Sequence, residues 1–322
     1  MAEAQAEKPV NFWGDLPEEE YYKSQGVKHS AGYFKTPNGQ IFTNSFLPLD
    51  AKPKGIVCLT HGYGGDTSWM FQIIAINYAQ WGYAAFAADL LGHGRSDGIH
   101  GYVWNVHKLA ETALSYFQSV RDSEEYKGLP AFLFGESMGG ALTLLMHFQD
   151  PQGWDGAMLT APLIIMPEAM KPSWVLLTAY SFLLGFADTW AVMPENNIVR
   201  KAIRDPAKGK VIGGNPKRYT GKPRVGTMRE LRGLTIYLQQ NLEKVTIPFL
   251  VMHGTDDVVT DPQSSQVLFD KASSKDKSLK FYEGAYHSLI QGEPDETKNA
   301  VLRDMREWVD QRTENILNSR SV

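Results

Sequence analysis

Seven short apolar runs, with helical patterns between most of them, constrain this chain more than anything else it contains. Residues 41–47, 55–60, 83–89, 131–135, 156–160, 247–253 and 279–283 are rich in β-branched and aromatic side chains and end at turn signals. Each is expected to be a strand. Apolar residues recur at helical spacing over 69–80, 106–121 and 138–148, and an amphipathic charged pattern over 295–318 predicts a C-terminal helix. Strands that are apolar on both faces and alternate with helices fit a parallel sheet covered on both sides. The expected class is therefore α/β, a mostly parallel central sheet flanked by helices.

That rhythm stops between about Pro167 and Lys244. The interval holds an apolar amphipathic stretch over 174–186, a Gly/Pro/Lys-rich stretch over 207–225 and a helical pattern over 228–242. Its charge differs as well. Residues 161–240 carry twelve basic and five acidic side chains, a local +7 in a chain whose total is −4, which leaves the rest at −11. Composition that changes and then changes back marks an insertion. The expected organisation is a core of residues 1–166 and 245–322, with 167–244 inserted as a mostly helical cap. Open α/β sheets bind ligands beyond the carboxyl ends of their strands, so such a cap would roof the site.

Composition removes several function classes. A net charge of −4 over 322 residues argues against a general nucleic-acid binder. The single cysteine, Cys58, excludes an intrachain disulfide and any cysteine-based metal centre. The run at 174–186 is shorter than the roughly 20 apolar residues a membrane-spanning helix needs. No basic start followed by an apolar segment opens the chain, so a cytoplasmic location is expected.

The chemistry concentrates at strand ends. Gly135-Glu136-Ser137-Met138-Gly139 lies between a strand and a helix, where a Gly-x-Ser-x-Gly turn presents its serine above the sheet. A serine hydroxyl needs a base, normally a histidine oriented by a carboxylate, in the chain order serine, acid, histidine. Two later strands end in Gly254-Thr255-Asp256-Asp257 and in Gly284-Ala285-Tyr286-His287. Asp257 is favoured as the acid, with Asp256 as a turn-forming alternative, and His287 is the expected base. After the strand at 55–60 comes His61-Gly62-Tyr63-Gly64-Gly65, a loop able to aim backbone N–H groups at a developing oxyanion. The expected donors are the amides of Tyr63 and Met138. His61 and Asp66 also match the His-x4-Asp spacing of glycerolipid acyltransferases, a rival reading of the same loop. The loop from Asp89 to Asp97 reads as a brace behind the site, with no chemical step for His93 or Arg95. Neither a metal nor an organic cofactor is called for.

Taken together, these motifs resemble the serine hydrolases of the α/β-hydrolase fold in their monoacylglycerol-lipase-like branch, and within it the plant caffeoylshikimate esterases. The resemblance runs through Asn11-Phe12-Trp13-Gly14, Pro17 to Tyr22, Phe86-Ala87-Ala88-Asp89, the segment from Arg218 to Leu231, residues 282–296 and Met305-Arg306-Glu307-Trp308. It implies Ser137, Asp257 and His287 as the catalytic residues. It also implies hydrolysis of caffeoyl shikimate to caffeate and shikimate, with monoacylglycerols and lysophospholipids as alternative substrates. In animal monoacylglycerol lipases small and charged residues follow the His-Gly pair, whereas this chain has Tyr63 and Trp69. A cationic cap suits a carboxylate-bearing substrate. One or more cap lysines or arginines, Arg229 among the candidates, are expected to hold the shikimate carboxylate, and Trp69 or Tyr63 to pack on the caffeoyl ring. The same charge beside the apolar stretch at 174–186 would also suit contact with an anionic membrane surface. A non-catalytic receptor on the same fold is the reading from another class.

Overall fold

The computed structural model describes Gly14 and residues 16–166, 188–191 and 201–320. The apolar stretch expected at 174–186 lies outside them. Eight strands form one sheet: β1 (Val27–Thr36), β2 (Gly39–Pro48), β3 (Ile56–Thr60), β4 (Ala84–Ala88), β5 (Ala131–Glu136), β6 (Gly156–Thr160), β7 (Phe249–Gly254) and β8 (Lys277–Tyr282). Their order is β1-β2-β4-β3-β5-β6-β7-β8. The β1–β2 hairpin pairs antiparallel and joins β4 antiparallel, while every other neighbouring pair is parallel.

The central strands β3 to β7 are buried along nearly their whole length, which is why they read as uninterrupted apolar runs. Alternate side chains feed two separate cores. Ile56, Cys58 and Leu133 point into one; Val57, Leu59, Phe132 and Phe134 point into the other. Helices α2 (Gln72–Gln80) and α8 (Asp295–Arg320) cover the second core, and α3 (Val106–Arg121) and α4 (Met138–Gln149) the first.

Strand β1 is missing from the sequence expectation. As an edge strand it buries only Val27 fully, and its mixed sequence VKHSAGYFKT lacks the apolar run that marks the interior strands. Short helices α1 (Glu18–Ser24) and α7 (Gln263–Lys271) were likewise too brief for their period to stand out.

Between β6 and β7 the described residues contain α5 (Pro206–Gly213) and α6 (Val225–Asn241) and no strand. Helix α5 falls inside the Gly/Pro/Lys-rich stretch. It forms because Asp205 caps it, accepting from the amides of Ala207 and Lys208, with Pro206 at the first helical position. Helix α6 begins three residues earlier than its pattern suggests. Val225, Met228, Leu231, Leu234 and Leu238 lie on one face, and all five join the same core as α3 and α4. Two arginines fasten the segment: Arg229 to Asp188 at 2.6 and 2.8 Å, and Arg224 to the carbonyls of Thr189 and His100.

Residues 202–208 strap this segment to the loop that follows β8. The amide of Ser288 donates to Ala202 O at 2.9 Å, and the amides of Arg204 and Asp205 donate to Gly292 O at 3.0 and 2.8 Å. Lys208 Nζ reaches Glu293 O at 2.6 Å and Asp295 Oδ1 at 2.7 Å.

Candidate active site

Because β3, β5 and β7 run parallel, the loops that follow them emerge at one edge of the sheet, together with the loop after β8. The sharpest turn is at Ser137, between β5 and α4. Its backbone has φ +56° and ψ −120°, a conformation that L residues rarely adopt. It is held there by its own backbone: the amide donates to Thr160 O at 2.9 Å, and the carbonyl accepts from Leu163 N at 3.0 Å. The flanking glycines are steric necessities. A Cβ on Gly135 would lie 2.4 Å from Gly139 O, and one on Gly139 would lie 2.2 Å from Thr60 O.

Asp257 sits in the turn after β7 and His287 in the loop after β8. Nδ1–H of His287 donates to Asp257 Oδ2 across 2.7 Å. Asp256, by contrast, is exposed and faces away, with Thr255 Oγ1 as its hydrogen-bond partner. Asp257 is surrounded by donors. Its Oδ1 accepts from the amides of Val259 and Thr260 at 2.7 and 3.1 Å, and Oδ2 also accepts from His253 Nε2 at 3.0 Å. His253 is completely buried; the Asp257 carboxylate can only accept, so Nε2 carries the hydrogen and Nδ1 accepts from Ser265 Oγ at 2.7 Å. Burial alone would raise the Asp257 pKa; the adjacent His287 and the bond from His253 outweigh it and hold the carboxyl well below the usual range.

His253 and Thr260 escaped the sequence reading. Thr260 Oγ1 lies 2.9 Å from Asp257 Oδ2 and 3.2 Å from His287 Nδ1, which locks the pair in place. The i, i+4 spacing of His253 and Asp257 was the available signal, but a histidine inside a buried strand has no distinguishing pattern.

Ser137 and His287 line one cavity. They are not hydrogen-bonded to each other in this structure; such bonds commonly tighten only when substrate is present. Tyr63, Met138 and Trp69 border the same cavity. The loop carrying Tyr63 comes close to the serine, since a Cβ on Gly62 would lie 3.2 Å from Ser137 Cβ. Among the described residues neither the Tyr63 nor the Met138 amide finds an acceptor in the protein. Two free N–H groups beside a serine, one of them at the N-terminus of α4, form a pocket suited to negative charge. The Tyr63 hydroxyl is tied to Gly101 O at 2.9 Å, and the Trp69 indole N–H to Val211 O at 2.7 Å, so both rings are held as walls.

His61 has no room for a role as base. Its Nδ1 donates to Gly62 O at 2.7 Å and its Nε2 accepts from Leu90 N at 3.0 Å, while Asp66 is engaged by Ser68 and Asn215. Asp89 braces the loop as expected, accepting from Thr67 N at 2.7 Å and Arg95 N at 2.9 Å.

Arg229, a candidate for binding the substrate carboxylate, is not among the described residues that line the cavity. The faces of α6 that border the cavity are those of Met228 and Leu231. Arg229, one residue on, is rotated about 100° away and spends its guanidinium on Asp188.

The chain is similar to several known proteins. The family model for serine aminopeptidase, S33, matches residues 51–295. Caffeoylshikimate esterase of Arabidopsis thaliana is 63% identical over 303 residues, covering 94% of this chain and 91% of that protein. Monoglyceride lipase of Homo sapiens is 29% identical over 276 residues, covering 86% and 89% respectively. A soluble variant of the Saccharomyces cerevisiae monoglyceride lipase, solved with a substrate analog, superposes with a TM-score of 0.72 at 23% identity. It covers 87% of this chain and 94% of that one, and it shares the α/β-hydrolase fold.

Proposed function

Because the chain belongs to the serine aminopeptidase S33 family of α/β hydrolases, we propose that it is a serine esterase that hydrolyses caffeoyl shikimate to caffeate and shikimate. What carries the substrate assignment is the 63% identity, over 94% of the chain, to a caffeoylshikimate esterase. Ser137 Oγ attacks the ester carbonyl while His287 Nε2 takes its proton, and Asp257 holds the imidazole and stabilises the imidazolium that forms. The amides of Tyr63 and Met138 receive the oxyanion. His287 then protonates the departing alcohol oxygen, and water repeats the sequence to release the acid from Ser137. No step needs a metal or an organic cofactor. Residues 167–244 serve as the cap, and a cytoplasmic location suits a chain whose one thiol, Cys58, is buried in β3. Among the described residues no helix is long and apolar enough to cross a membrane.

A second reading keeps the same residues but takes monoacylglycerol or lysophospholipid, and the monoglyceride lipase relatives favour it. The cap stretch at 174–186 would then contact a lipid surface. Measuring kcat/KM for caffeoyl shikimate beside a long-chain monoacylglycerol decides between the two. The esterase assignment expects caffeoyl shikimate to be preferred at least tenfold, a margin of about 1.4 kcal/mol in transition-state binding. A preference for monoacylglycerol reverses it.

The reaction also has an expected pH dependence. Burial pulls the His287 pKa down, but the Asp257 carboxylate and, more weakly, Glu136 push it above the ordinary histidine value of about 6.5. Only the neutral imidazole accepts the serine proton, so kcat/KM falls as pH drops through this raised value. The acidic limb should therefore lie above 6.5. Glu136→Gln removes one of the charges that favour the imidazolium, and its limb should move to lower pH. Rate profiles of the two proteins between pH 5 and 9 check the direction; a limb that moves upward contradicts the assigned electrostatics.

A further inference from the structure

Of the twelve basic residues in the segment 161–240, Lys171 and Arg200 lie outside the described residues. Most of the others are either committed to the protein or remote from the cavity. Arg229 is held by Asp188, Arg224 by two carbonyls, and Arg204 and Lys208 by Glu293 and Asp295. Among the described residues Arg218 is the single lysine or arginine that borders the cavity. Its guanidinium has neither an ion-pair partner nor a side-chain hydrogen bond there, and it is largely withdrawn from solvent.

The neighbouring acid does not close on this cation. Asp66 borders the same cavity and is the carboxylate whose charge Arg218 senses. Both Asp66 oxygens are already engaged: Oδ1 accepts from the amide of Ser68 at 2.9 Å and from its hydroxyl, and Oδ2 accepts from Asn215 Nδ2 at 2.6 Å. Asp66 therefore offsets part of the cost of burying a guanidinium without closing on it. The backbone around Arg218 is fixed from both sides. Its own amide donates to Asn215 O at 3.3 Å, and the amide of Tyr219 donates to Gly64 O, in the loop beside Ser137, at 2.9 Å. A partly desolvated guanidinium fork, carried on a fixed backbone and bordering the same cavity as the serine, matches a carboxylate in geometry and in charge.

We propose that Arg218 is the specificity-determining residue that binds the carboxylate of an anionic ester in this cavity. The inference rests on the esterase reading above and adds to it the residue that recognises the acidic half. In caffeoyl shikimate that carboxylate is on the alcohol, so the contact acts before the alcohol departs. Caffeoyl shikimate and its methyl ester yield the same caffeoyl-enzyme, and any difference between them arises in binding and acylation.

The test measures kcat and KM for this pair of esters with the wild-type enzyme, Arg218→Gln and Arg218→Lys. Loss of one charge-assisted pair predicts a fall of about 10- to 100-fold in kcat/KM for caffeoyl shikimate in Arg218→Gln, carried mostly by KM. The methyl ester should change by less than about twofold, so the preference for the acid disappears. Arg218→Lys keeps a point charge but not the fork, and should fall in between. Added guanidinium should restore part of the lost activity of Arg218→Gln toward the acid alone. Equal losses on both esters would show a structural role, and unchanged preference would show no role; either result overturns the proposal. Should Arg218→Gln fail to fold, the same ratio read from Arg218→Lys decides it. A wild-type enzyme inactive on caffeoyl shikimate but active on monoacylglycerol would defeat the esterase reading itself and the inference with it. Wild-type activity on caffeoyl shikimate with Arg218-independent preference would defeat the inference alone.

Discussion

Replacing Ser137 with alanine is expected to lower kcat for ester hydrolysis by about 10⁴- to 10⁶-fold while leaving the fold intact. The stability side follows from the turn. What holds residue 137 in its unusual conformation is the pair of backbone bonds to Thr160 and Leu163, which the substitution keeps. The hydroxyl itself makes no hydrogen bond to the described residues, so removing it should cost little stability. On the chemical side, the substitution removes the hydroxyl assigned to form the acyl-enzyme. The residual rate would come from the two free amides and from substrate positioning. His287→Ala should cost a comparable amount, and the double variant should be scarcely worse than either single one, because the pair acts as a unit. Steady-state assays and labelling with a fluorophosphonate probe check both points. Labelling that persists in Ser137→Ala would place the nucleophile elsewhere.

The largest effect on folding is expected from Gly139→Ala. The new Cβ would lie 2.2 Å from Thr60 O and 2.5 Å from His61 O, both backbone atoms at the end of β3 that cannot rotate aside. Helix α4 would have to separate from the sheet, at a cost of about 3–5 kcal/mol, which is beyond ordinary overpacking. Gly135→Ala meets Gly139 O and Thr143 Oγ1 at 2.4 Å and should be similarly damaging. Gly233 supplies the control. It lies within α6, and an added Cβ would meet nothing within 4 Å, so Gly233→Ala should stabilise by about 0.5–1 kcal/mol through helix propensity. Urea unfolding of the three variants tests the contrast. Near-native stability for Gly139→Ala would contradict the packing described.

These contrasts explain what could be read from the sequence and what could not. The interior strands were legible because burial on both faces leaves no polar residue to blur them, and the half-exposed β1 was not. Ser137, Asp257 and His287 could be picked out because each follows a strand at a glycine-marked turn, buried for β5 and β7 and half-exposed for β8, and such turns emerge at one edge of a parallel sheet. Choosing a substrate-binding cation was a different problem. Counting charges showed that residues 161–240 are basic, but nothing in the count showed that Asp188 claims Arg229 or that Asn215 keeps Asp66 from closing on Arg218. Those outcomes depend on helix phase and on partners distant in sequence. The buried His253 and Thr260 beside Asp257 are close to it in sequence, but a histidine within a buried strand and a threonine in a turn carry no distinguishing pattern.

The strap formed by residues 202–208 has a mechanical consequence. It hangs from the very loop that presents the imidazole, through the amides of Ser288, Arg204 and Asp205 and the ammonium of Lys208. Displacing residues 202–208 would strain the loop that carries His287. Those bonds make the position of residues 202–208 and that of the imidazole mutually dependent.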